Sequence, residues 1–278
     1  MIKSILLSVD GSTYTDAQVK YTTQLAKAFE STIKVLTIVD IRVFEWAVAM
    51  GSDGFVPVIP STVYREETKK ILESKADAVL EKCAKIFTKE KIQFTTEKLH
   101  GPPSDIINEK SHLVDLLVIG ARGEYAKWKS KLVGATMDAV ARQCNKPIFI
   151  SIQSFREIAN ILVAYDGSDK ANRALQLAAY FATKLDVGIK VLTVHDNKRL
   201  RKKFLDEAAT YLDSYSVTVE SLGTSGNPEK EIIQAAEENN CGIIVIGASG
   251  HSRIREAILG STTEHVIRNT KIPVLLYK

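Results

Sequence analysis

Cysteine is scarce in this chain. Cys83, Cys144 and Cys241 are the only three in 278 residues, and they lie far apart with no C-x-x-C. An odd, scattered set argues against a disulfide framework. No run of about 18 apolar residues occurs, so no membrane-spanning helix is expected. The opening MIKSILLSVDGS enters a short apolar run that ends in a carboxylate, with no signal-peptide h-region or cleavage site. These absences point to a soluble, cytoplasmic protein. The charges read as interspersed around a net +4, with no basic tract and no basic–aromatic alternation, which argues against nucleic acid. G-x-x-x-x-G-K-[ST], G-x-G-x-x-G after a first strand, H-E-x-x-H and G-x-S-x-G are all missing. His195-Asp196 is no ligand pair by itself, and His100, His112 and His265 have no evident partner. No catalytic residue and no metal ligand is assigned.

What the chain does contain is itself, twice. ILLSVDGS (5–12) matches ILVAYDGS (161–168), and IKVLT stands at 33–37 and again at 189–193, both at an offset of 156. LLVIGARG (116–123) matches IIVIGASG (243–250), and KPIFI (146–150) matches IPVLL (272–276). The offset there has dropped to 127 and then 126, so the first copy carries an insertion and one further residue. Two domains are expected, 1–153 and 158–278, joined by the short polar stretch near 153–157. The insertion at 41–62 holds Phe44, Trp46, Phe55, Val56, Val58 and Ile59. It reads as a flap on its own domain, a pocket cover or a surface for a partner.

Each copy alternates short apolar runs with helical periodicity. Ala174, Leu175, Ala178, Phe181, Ala182 and Leu185 recur at three and four, as do Ile71, Leu72, Val79, Leu80, Cys83, Ile86 and Phe87. LLVIG and IIVIG are apolar throughout, as strands buried on both faces are. The expected fold class is α/β, with parallel sheets wrapped by helices and ligands held at the strand C-termini.

Gly247 and Gly250 directly follow such a strand, and Gly260-Ser261-Thr262 opens a helix expected at about 261–269. Glycines admit positive φ and let backbone N–H groups approach an anion, while a helix start offers unpaired N–H groups and a positive dipole end. Arg253 and His251 lie between. A plainer reading stands beside this: Ser261-x-x-Glu264 is a capping box, and Gly247 and Gly250 are turn glycines.

G-x2-G-x9-G-S, as Gly247, Gly250, Gly260 and Ser261 place it, resembles the nucleotide motif of the universal stress proteins. The likeness covers nearly the whole chain twice, including the strand-ending Asp-Gly-Ser and Gly226-x-Pro228. It implies two tandem Rossmann-like domains, each a five-stranded parallel sheet with helices on both faces. It implies ATP, with the phosphates held by Gly247, Gly250, Gly260, Ser261 and Thr262. Beside the resemblance, Arg253 in the intervening loop is expected to add charge, and Mg²⁺ to come only with the phosphates. Asp166 would contact adenosine, and Val194 would offer backbone groups to adenine. Against these stand a turn carboxylate or helix cap for Asp166 and core packing for Val194. Family domains pair through their last strands, which implies an intramolecular pseudo-dimer here and leaves room for a homodimer.

The first copy departs from the motif. Ten residues separate Gly123 from Gly134, and Ala135 stands where the hydroxyl belongs. The extra residue is expected to shift one anion contact from the other. Alanine at the helix start should lose a cap worth about 1 kcal/mol. Nucleotide binding there is expected to be weak or absent. Three functions fit these readings: a nucleotide-binding stress regulator, a ligand-independent interaction module and a slow ATPase.

Overall fold

The computed structural model describes residues 1–40, 62–123, 134–248 and 259–278. All of the insertion 41–62 but Thr62, and the segments 124–133 and 249–258, lie outside them, and with these lie Phe44, Trp46, Phe55, Val56, Val58, Ile59, Gly250, His251 and Arg253.

In the first half, β1 is Ser4–Ser8, α1 Thr15–Phe29, β2 Thr32–Val39, α2 Thr62–Lys89 and β3 Phe94–His100. There follow α3 (Pro103–Ser111), β4 (Leu116–Gly120), α4 (Ala135–Gln143) and β5 (Ile148–Ser151). The second half repeats the pattern through β6 (Asn160–Ala164), α5 (Asp169–Leu185), β7 (Gly188–Val194), α6 (Lys198–Leu212) and β8 (Val219–Thr224). It closes with α7 (Pro228–Glu238), β9 (Ile243–Gly247), α8 (Ser261–Asn269) and β10 (Val274–Tyr277). Local devices repeat with the sequence. Glu30 after α1 and Asp186 after α5 both turn left-handed, at φ 54° and 55°.

The strands form one ten-stranded sheet in the order β3-β2-β1-β4-β5-β10-β9-β6-β7-β8. Within each half every pairing is parallel. The halves meet where β5 runs antiparallel to β10, with Phe149 opposite Leu275. β4 and β9 are buried at every position and sit inside the sheet, while β3 and β8 are largely exposed and form its edges.

Because side chains alternate across a strand, each face builds its own core. Ile5, Leu7, Val118, Phe149, Val163, Val245 and Leu275 face α1, α2, α5 and α6. Leu6, Leu117, Ile150, Leu162, Ile244 and Val274 face α3, α4, α7 and α8. Both cores run through the seam between the halves. On the first face α1 meets α5, with Phe29 against Tyr180 and Phe181 at ring separations of 5.3 and 4.8 Å.

The helical patterns expected from sequence pack as read except at Leu72, which is half-buried outside both cores, and at Ile71. That side chain is 67% exposed, because the buried stripe of α2 runs through Val79, Cys83 and Phe87 and Ile71 lies off it. The stretch 153–157 is mostly exposed but is held at two points. Tyr21 stacks on Phe155 at 4.8 Å and its hydroxyl accepts the Arg156 N–H at 2.8 Å. Ile158 then enters the core, and Gly242 lies flat against the Glu157 and Ile158 backbone.

A Cβ at Gly242 would overlap the Glu157 carbonyl and the Ile158 Cα, both rigid backbone. Gly242→Ala should therefore lower stability by about 1–3 kcal/mol, read as a fall in the urea midpoint. Burial pushes the Cys83 and Cys241 thiols up to about 11, so both stay protonated at pH 8. All three cysteines are buried and free. Ellman's reagent at pH 8 should find no reactive thiol in the native protein and three after guanidinium unfolding.

Candidate functional site

In each half the strand order reverses between the first and fourth strands, which places a crevice at their C-terminal ends. In the second half these strands are β6 and β9, and the Asp-Gly-Ser turn follows β6 at that crevice. Tyr165 ends the β6 run, and Thr193 Oγ1 donates to its carbonyl at 2.9 Å. Its own hydroxyl donates to Asn172 Oδ1 at 2.6 Å, and burial raises the phenol above its ordinary range, with Glu207 and Asp166 adding to the shift. The next residue, Asp166, is exposed. Its Oδ1 accepts the Ser168 N–H at 3.0 Å, which makes Asp-Gly-Ser a tight Asx turn. Ser168, not Asp166, caps α5, accepting from the Ala171 N–H at 3.2 Å. Gly167 has φ +75°, and the Phe204 ring stands 2.6 Å from where a Cβ would be, so glycine is required twice over.

Val194 ends β7 on the other side of β6 and packs, half-buried, on the second core. Just beyond it the His195 N–H donates to Thr224 O at 3.0 Å, and Arg201 Nη1 donates to His195 O at 3.0 Å. These two backbone groups at the rim are thus engaged within the protein.

Gly247 ends β9, and its φ is not positive. Glycine is needed there because a Cβ would lie 2.7 Å from the carbonyl carbon of Lys170, in the first turn of α5. The next amide, of Ala248, donates to Tyr277 O at 2.7 Å and is used by the sheet. The start of α8 supplies further donors beside it. Gly260 is its N-cap, at φ −60° and ψ 148°, with no side-chain cap hydrogen bond. Ser261 is the first helical residue, so the Ser261-x-x-Glu264 capping box does not form. Its serine stands one position too late. Ser261 is exposed and Thr262 half-buried, whereas Thr263 is buried and donates through Oγ1 to Gly247 O at 3.3 Å. That bond seats the open helix start against the end of β9.

The first half is built alike with different chemistry. Asp10 Oδ1 accepts the Ser12 N–H at 2.9 Å, and Gly11 has φ +73°. Val79 and the Lys75 stem cover Gly11 where Phe204 covers Gly167. The Gly134 N–H donates to Ala121 O at 3.1 Å, which joins the described stretches on either side of 124–133. The cap expected to weaken at Ala135 is not lost, because Gly134 is the N-cap of α4 just as Gly260 is of α8. The Asp10 Oδ2 lies 2.9 Å from the position a Gly123 Cβ would take, placing a carboxylate beside the glycine loop.

The chain matches the sequence profile described as the Universal stress protein family over residues 1–151, 157–211 and 197–278. It belongs to the universal stress protein family. Universal stress protein Slr1230 of Synechocystis sp. is 30% identical over 290 aligned positions, which cover 100% of both chains. Universal stress protein MJ0577 of Methanocaldococcus jannaschii is 33% identical over 86 residues, 28% of this chain and 53% of that one. The crystal structure of a universal stress protein from Archaeoglobus fulgidus shares the fold at TM-score 0.75 and 24% identity, covering 99% of this chain and 98% of its own.

In this universal stress protein two features escaped the sequence reading. Lys198 to Lys203 put five cations in six residues at the start of α6, contrary to the expectation of no basic tract. Lys202 and Lys203 pair with Asp206 and Glu207 at 2.6 and 3.6 Å, which spreads the charge along an open groove on that helix. The run length alone was a usable signal. Thr263 is the second feature. Its hydroxyl gave no signal distinct from those of Ser261 and Thr262, since only burial separates them. Among the described residues no three His, Cys, Asp or Glu side chains gather as a metal site, and no helix is long and apolar enough to cross a membrane.

Gly247→Ala should lower the stability of the ligand-free protein by about 1–3 kcal/mol, since the methyl meets backbone that cannot swing aside. A glycine kept only for a ligand's approach would leave the denaturation midpoint where it is.

Proposed function

We propose that the second half of this universal stress protein binds an adenine nucleotide, ATP, at the C-terminal ends of β6, β7 and β9. The phosphates lie over the start of α8, on the N–H groups of Ser261 and Thr262 and the Ser261 hydroxyl. The observation that carries this reading is the start of α8, which no side chain among the described residues caps and which Thr263 seats against the end of β9. Unpaired N–H groups at the positive end of a helix dipole favour an anion. Gly250 and Arg253 complete the phosphate loop in this reading. Asp166 faces the nucleoside from the neighbouring strand end, and Val194 borders the adenine. Magnesium arrives with the phosphates, whose oxygens suit a hard cation.

The nucleotide acts as a signal in a stress response, read through the conformation or contacts of the second half. The first half serves as the pseudo-dimeric mate across the β5–β10 seam, in one cytoplasmic chain that is free to pair with a second. The missing hydroxyl at Ala135 opposes phosphate in that half. Hydrolysis is a separate reading, decided by whether phosphate release exceeds background.

Calorimetry with ATP and Mg²⁺ tests the proposal. The wild-type protein should bind one nucleotide. Gly260→Val combined with Ser261→Ala should weaken binding at least about tenfold, a loss of roughly 1.4 kcal/mol. Unchanged affinity would overturn the assignment, and mass spectrometry of co-purified small molecules gives an independent check.

A further inference from the structure

The first turn of α8 carries a carboxylate of its own. Side chains on a helix lean toward its N-terminus, so Glu264, at the fourth helical position, overlies the residues three and four before it. Its reach to the Ser261 N–H is the reach of a capping-box glutamate moved one residue along. The helix dipole attracts it there as it would attract a phosphate. A carboxylate in that position takes a donor from an incoming anion and repels it as well.

Glu264 does not cap. Its Oε1 pairs instead with Arg268 one turn further on, and the helix start has no side-chain cap hydrogen bond. Among the described residues the Arg268 Nε is buried without a partner, and Glu264 pairs with the guanidinium through Nη2. The arrangement recurs in the other half. Gly134 caps α4 with no side-chain bond, and Arg142 Nε and Nη2 hold Asp138 at 2.9 and 3.1 Å. The Asp138 hydrogen bond raises the Arg142 guanidinium above its ordinary range, and Glu264, across the seam, adds to that effect. An isolated i,i+4 pair on a helix is worth only about 0.3–0.5 kcal/mol, so a stability role alone gives little reason for the same pair at both glycine-capped helix starts.

We propose that Arg268 is a positioning residue for the anion site: it draws the Glu264 carboxylate along α8 and so keeps the Ser261 and Thr262 amides open. This rests on the nucleotide reading above and adds a residue that does not itself touch the ligand.

The experiment compares full-length wild type, Arg268→Met, Glu264→Gln and the double variant, by ATP calorimetry and by the amide NMR shifts of Ser261 and Thr262 without ligand. Arg268→Met should weaken ATP about tenfold, the scale of a carboxylate released onto a helix N-terminus. Glu264→Gln alone should keep or raise affinity, and the double variant should return to within about twofold of wild type, the size of a lost i,i+4 pair. Without ligand, the two amide shifts should move in Arg268→Met and move back in the double variant. If the double variant binds as weakly as Arg268→Met, the arginine acts by its own charge and the proposal fails. It fails too if Arg268→Met binds like wild type. If wild type binds no ATP, the nucleotide reading falls, and the amide shifts alone decide: no movement in Arg268→Met overturns the positioning role. Matching thermal midpoints confirm that the variants are folded.

Discussion

The rest of the structure depends on three residue pairs. Ile148, Phe149 and Ile150 of β5 lie antiparallel to Leu276, Leu275 and Val274 of β10. Split there, each half would present an apolar strand edge to water, with unpaired backbone groups beside it. Joined, the two sheets become one, and each of its faces carries a core that crosses the seam. Phe149 and Leu275 serve one face, their neighbours the other. The pairing also sets direction. Because β5 and β10 run oppositely, the C-terminal strand ends of the two halves open at opposite ends of the sheet. The two candidate sites cannot share a ligand, and what connects them passes through packed helices.

Those helices are bound across the seam on both faces. The α1–α5 contact is aromatic, with Phe29 against Tyr180 and Phe181. On the other face the contact is polar: the Lys278 ammonium donates to the Arg142 carbonyl. The chain between the halves is held as well, by Tyr21 on Phe155 and Arg156. Burial raises the Tyr21 phenol, against the lowering effect of the Arg156 hydrogen bond and charge. The phenol therefore stays neutral, as its place in the core requires.

The two halves keep one backbone plan and differ in what covers it. Gly11 and Gly167 make the same left-handed turn at φ +73° and +75°. Above one stand Val79 and the Lys75 stem, above the other an aromatic ring. Gly134 and Gly260 both cap helices without side-chain help. Duplication preserved the geometry that backbone sterics demand, while side chains at the same places diverged in charge and size.

By itself the sequence determined the repeat, the alternation of strand and helix, the buried character of β4 and β9, and the helix beginning at Ser261. Each of these rests on local rules, periodicity or the steric freedom of glycine, which act over a few residues and so are written in consecutive letters. The tertiary structure alone decided why Gly247 must be glycine, since Lys170 is 77 positions away in the chain and touches it in space. It also decided that Gly260 rather than Ser261 is the cap, which a capping-box pattern misstates by one residue, and that Thr263 rather than its neighbours turns inward. Contacts between elements settle such matters, because a hydroxyl or a glycine looks the same in any register until a second strand or helix arrives beside it.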